Sequence, residues 1–65
     1  MSLESEVVRV VIRPKNLKQA RQESGLTLRK LSERCGLSIG FLNDLEFGRR
    51  TCSQDAFDAI KKALR

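Results

Sequence analysis

Residues 26–48 constrain this chain more than any other stretch. They carry two short amphipathic helical patterns that meet at Cys35, Gly36, Leu37 and Ser38. Thr27 is placed to cap the first helix, whose apolar positions Leu28, Leu31 and Cys35 recur at helical spacing, and Gly36 ends it by taking a left-handed backbone conformation. A second helix starts almost at once, with Ser38 as its N-cap, Leu42 and Leu45 as its inward residues and Gly48 as its stop signal. A turn of about three residues makes the two helices cross steeply, which leaves the outer face of the second one standing clear of the domain.

On either side the patterns are simpler. Residues 14–24 read as a helix with Leu17 and Ala20 inward and Lys15, Lys18, Gln19 and Gln22 outward; Pro14 suits its first turn and Gly25 stops it. Residues 49–52 form a basic turn. Ser53 then caps a last helix, with Asp55 in its favourable first turn, an inward stripe of Ala56, Phe57, Ile60, Ala63 and Leu64, and Lys61, Lys62 and Arg65 near its C-terminal end. Residues 7–13 are dense in β-branched side chains, with Val8, Val10 and Ile12 on one face and Arg9 and Arg13 on the other, which is a strand pattern. No other stretch reads as a strand. A lone strand cannot satisfy its own backbone groups, so this one is expected to pair with its copy in a second subunit or with another protein, or not to form. The expected architecture is all-α: an arm over residues 1–13 holding the candidate strand, then a four-helix domain over residues 14–65, with the exposed helix at about 38–47.

A chain of 65 residues makes one domain, near the size at which a single core only just outweighs chain entropy. Thirteen Lys and Arg against eight Asp and Glu give a net charge of +5, which points to an acidic polymer as partner; mere solubility is the bland alternative. There is no His, and two cysteines have neither the count nor the spacing of a disulfide framework or a zinc site. No metal or cofactor is therefore expected. Ser and Cys have no base beside them, so the chain lacks the parts of nucleophilic or metal chemistry and is not expected to be an enzyme. Cys35 lies on an apolar stripe and reads as a small buried hydrophobe, whereas Cys52 falls in a loop without an assignable role. The longest apolar stretch, residues 7–12, is interrupted by Arg9 and is too short to span a bilayer or to form a signal-peptide core. A reducing cytoplasm is the expected location.

Three blocks resemble the lambda-repressor and Cro-like (Xre) family of helix-turn-helix DNA-binding proteins, in register and without a gap. The family's Leu-x-x-x-Arg is matched by residues 17–21. Its Leu-Ala-x-x-x-Gly-Val-Ser is matched by Leu31, Ser32, Glu33, Arg34, Cys35, Gly36, Leu37 and Ser38, and its closing Leu-x-x-Ile-Glu-x-Gly-x-Arg by residues 42–50, which include Leu42, Leu45, Glu46, Gly48 and Arg50. The resemblance implies a lambda-repressor-like four-helix fold, a sequence-specific regulator of transcription that binds double-stranded DNA, and a recognition helix at 38–47. A repressor of the phage, plasmid, antitoxin or restriction-controller type is the expectation. It also implies a partly buried ion pair between Arg21 and Glu46 that ties the first helix to the end of the recognition helix; two solvated charges are the alternative.

The recognition helix offers no Arg or Lys, so a bidentate arginine–guanine contact is not expected from it. Instead Asn43 can take adenine through two hydrogen bonds, Ile39 can pack on a thymine methyl, and Asp44 can accept from cytosine. Gly40 costs the helix roughly 1 kcal/mol relative to alanine, a cost explained if the backbone must come close to the bases. Positive charge is displaced to the flanks, at Arg29 and Lys30 before the recognition helix and Arg49 and Arg50 after it. With Ser38 these are the expected phosphate contacts, supplying affinity and register around a reading surface that supplies sequence. Phe47 stands where the family usually has a polar residue, and so is expected to be exposed and free to touch a partner. Many relatives dimerise through a fifth helix; here Val8, Val10 and Ile12 are the expected contact of a homodimer on a pseudo-palindromic operator. The competing reading is a protein–protein interaction module on a helix-turn-helix scaffold, using Phe47 and the strand.

Overall fold

A computed structural model describes residues 11–64. Its elements run in the order β1 (Val11–Ile12), α1 (Leu17–Glu23), α2 (Leu28–Cys35), α3 (Ile39–Glu46), β2 (Cys52–Ser53) and α4 (Gln54–Ala63). The domain is mostly helical, and three of its helices start on the hydroxyl caps that the sequence marks. Thr27 accepts from the Lys30 amide at 3.1 Å, Ser38 from the Phe41 amide at 3.1 Å and Ser53 from the Ala56 amide at 3.2 Å, each satisfying one of the donors that a helix start leaves unpaired.

The turn between α2 and α3 is closed twice. Gly36 sits at φ 77°, a left-handed conformation that costs a residue without a Cβ nothing, and its amide donates to the Ser32 carbonyl at 2.8 Å. The Ser32 hydroxyl then donates to the Leu37 carbonyl at 2.5 Å, across the turn. Where the family pattern has alanine, this chain has a side chain that binds the turn's backbone.

The first helix is shorter than the pattern predicts. It begins at Leu17 rather than Pro14, because Asn16 takes a left-handed conformation at φ 59° that no right-handed helix can run through. Pro14 therefore belongs to the connection between β1 and α1.

Leu17, Leu26, Leu31, Leu42, Leu45, Cys52, Ile60 and Ala63 form one buried core, with Ile12, Leu28, Cys35, Leu37, Phe41, Ala56, Phe57 and Leu64 packed around it. Cys35 is thus half-buried rather than buried, while Cys52, unassigned from the sequence, is only 5% exposed.

A second strand corrects the expectation that β1 has no partner within the chain. β1 pairs antiparallel with β2, Val11 opposite Ser53 and Ile12 opposite Cys52. Ile12, partly buried, consequently packs against the core of its own domain. A strand of two residues has too few positions for alternation to show, which is why β2 reads as part of a basic turn. Val8 and Val10 lie outside the described residues, as does the part of the candidate strand before Val11.

Candidate nucleic-acid interface

The turn at residues 36–38 sets α3 with Leu42 and Leu45 fully inward and the opposite face open. Ile39 is 44% exposed, unusual for a large aliphatic side chain. Gly40 is exposed, and a Cβ built there would meet nothing within 4 Å, so the domain's own packing does not require glycine. Asn43 lies one turn after Ile39, half-exposed, and Phe47, just past the end of the helix, is 62% exposed. Ile39, Gly40 and Asn43 therefore form an open surface of one aliphatic group, one stretch of bare backbone and one amide.

The position of α3 is fixed by a partly buried pair. Arg21 Nε donates to Glu46 Oε2 at 2.6 Å and a terminal guanidinium nitrogen donates to Glu46 Oε1 at 3.2 Å, a two-point contact between side chains 11% and 4% exposed. The other terminal nitrogen of Arg21 donates to the Leu26 carbonyl at 2.8 Å. One guanidinium thus joins α1, the loop before α2 and the last residue of α3. Among the described residues no buried side-chain nitrogen or oxygen lacks a hydrogen-bond partner, so this pair sits in a fully satisfied environment.

On one flank, Arg29 and Lys30 stand exposed in the first turn of α2, with Lys30 Nζ 3.7 Å from Glu33. Two solvated partners at that distance hold each other weakly. The Ser38 hydroxyl, though its oxygen accepts the Phe41 amide, keeps a proton to donate.

The other flank is built differently from what the sequence suggests. Arg49 Nη1 lies 3.4 Å from Asp44 Oδ1 and Arg50 Nε 3.4 Å from Asp44 Oδ2. The carboxylate expected to accept from cytosine thus lies between the two arginines expected to hold phosphate. Each guanidinium also rests on a ring: Arg49 is 4.8 Å from the centroid of Phe47 and Arg50 5.6 Å from that of Phe41. Phe47 is exposed as expected, and its ring serves as a platform for Arg49. A third cation, Arg13, donates from Nη1 to the Gly48 carbonyl at 2.9 Å. Three arginines thereby gather at the carbonyl end of α3, where the helix dipole favours positive charge. The alternation of residues 7–13 does place Arg13 opposite Ile12, but only the pairing of β1 with β2 carries it to α3.

Among the described residues no group of three or more potential metal ligands comes together, and no helix is long and apolar enough to cross a membrane.

Comparison with known proteins bears on the same stretch. The family described as a helix-turn-helix domain matches residues 16–65. Two curated relatives, the transcriptional regulator ClgR of Mycobacterium tuberculosis strains CDC 1551 / Oshkosh and ATCC 25618 / H37Rv, are each 39% identical over 49 residues. That alignment covers 75% of this chain and 44% of each relative, so the matched stretch spans less than half the length of those proteins. With four helices among the described residues, α2 and α3 joined by the short turn at residues 36–38, and the family's match over residues 16–65, the chain belongs to the helix-turn-helix domain family.

Proposed function

We propose that this chain is a sequence-specific, double-stranded-DNA-binding regulator of transcription of the lambda-repressor and Cro-like (Xre) kind, acting as a repressor in the cytoplasm. The observation that carries this reading is the outer face of α3: Ile39, a bare Gly40 and Asn43, between Arg29 and Lys30 on one side and Arg49 and Arg50 on the other. The two curated relatives are named as transcriptional regulators, which agrees with it. In this arrangement Asn43 takes adenine, Ile39 packs on a thymine methyl, and Gly40 lets the backbone approach the bases. Arg29, Lys30, Ser38, Arg49 and Arg50 hold phosphates and set the register. Two copies on a pseudo-palindromic operator would place recognition helices about 34 Å apart along one face of the duplex.

Selection of bound sites from a random duplex pool, followed by salt titration of the enriched site, tests the reading. A shared sequence with A·T pairs under Asn43, and affinity that falls steeply with salt, is the expected result. Absence of duplex binding even at low salt would leave the protein-interaction module as the better reading, with the exposed ring of Phe47 as its contact.

A further inference from the structure

Asp44 stands in the last turn of α3, where the helix dipole disfavours negative charge. Nothing in the packing calls for an acid there, since its side chain is one-third exposed. Its partners explain its place. Both carboxylate oxygens lie 3.4 Å from guanidinium nitrogens, one from Arg49 and one from Arg50. The Arg49 amide also donates to the Asp44 carbonyl at 2.8 Å, fixing where the first arginine leaves the helix. Two guanidinium groups converging on one two-oxygen anion, each backed by an aromatic ring, make the same arrangement that would grip a phosphate.

We propose that Asp44 is a resident counter-ion that occupies the Arg49–Arg50 clamp in the free protein and competes with the DNA phosphate for it. The inference rests on the DNA-binding reading and adds a residue that sets affinity by opposition. A negative charge left beside a bound phosphate repels it, whatever the base sequence, so the effect falls equally on target and random duplexes. It holds down non-specific binding, which is carried by phosphate contacts.

The test is Asp44→Asn, which keeps the shape but removes the charge and turns one of the two accepting oxygens into a donor, with Asp44→Ser as a second neutral variant. Duplex affinity is measured for wild type and both variants on the selected site and on random DNA over a range of salt. Removing one charge a few ångströms from a phosphate should raise affinity for both duplexes by about fivefold at low salt and steepen the slope of log affinity against log salt by about 0.9. Arg49→Gln or Arg50→Gln should then cost more in the Asp44→Asn background than in the wild type, because the arginine removed is no longer half-neutralised. An unchanged affinity and slope, or a loss on both duplexes, would overturn the proposal, as would an altered base preference, which would make Asp44 a base reader. If wild type binds no duplex, it is the DNA-binding reading that fails, and that result is distinct from all of these.

Discussion

Gly40 is a residue whose identity the free domain does not explain. It lies within α3 with open space where a Cβ would be, and alanine is the better helix former by roughly 1 kcal/mol. Gly40→Ala should therefore raise the stability of the isolated domain by up to about 1 kcal/mol in urea denaturation while weakening binding to the selected duplex. Tighter or unchanged binding would show that no backbone approach occurs there. The two cysteines differ in a similarly testable way. Burial pushes the Cys52 thiol above its ordinary value, so the neutral thiol is the form the fold prefers. Its contribution to stability is complete below the pKa of the unfolded thiol, and is lost as pH rises from there through the folded value. Wild type should lose more stability between neutral pH and pH about 9.5 than Cys52→Ala does. A thiol-reactive dye should label half-buried Cys35 promptly and Cys52 only as the domain opens.

Among the elements, α3 is held by the contact that reaches it from α1. The Arg21–Glu46 pair is nearly buried and hydrogen-bonded at two points, and removing one partner leaves a charge without compensation. Arg21→Ala should cost about 3 to 5 kcal/mol, enough to unfold much of a domain this small at room temperature; a loss below about 1 kcal/mol would mean that the pair behaves like an exposed one. This scale is also where the sequence was most readable. Thr27, Gly36, Ser38 and Ser53 mark helix ends through local chemistry that operates within four residues, and each cap is found where its residue type implies. Asn16 was not readable as a helix boundary, because asparagine takes the left-handed conformation only occasionally and Pro14 suggested an earlier start. The outer residues of α3 followed from periodicity, but Asp44 did not: its partners lie five and six residues onward, past a glycine at φ 76° that turns the chain back. Nor did β2, whose two residues acquire meaning only when β1 arrives from the other end of the chain.

For the whole molecule, the pairing of β1 with β2 changes where a second copy could attach. Ile12 packs against the core of its own domain, so a truncation that removes it would damage the fold and the assembly together. A two-stranded ribbon nevertheless leaves the outer edge of β1 without a strand partner among the described residues, and an open edge is a template for another strand. Antiparallel pairing of two such edges across a two-fold axis, with Val8 and Val10 of each copy meeting, would join two domains without disturbing either core. Deletion of residues 1–10 separates these effects, since it keeps β1, Ile12 and every residue of the described core. The expected outcome is a domain with helical content and urea midpoint close to those of the full chain, but monomeric in sedimentation. Its binding to the selected operator should fall by about 10²-fold or more, because each half-site is then bound alone, while binding to a single half-site should be unchanged. If the full chain and the truncated one sediment alike and bind the operator equally well, the edge of β1 does not join two copies.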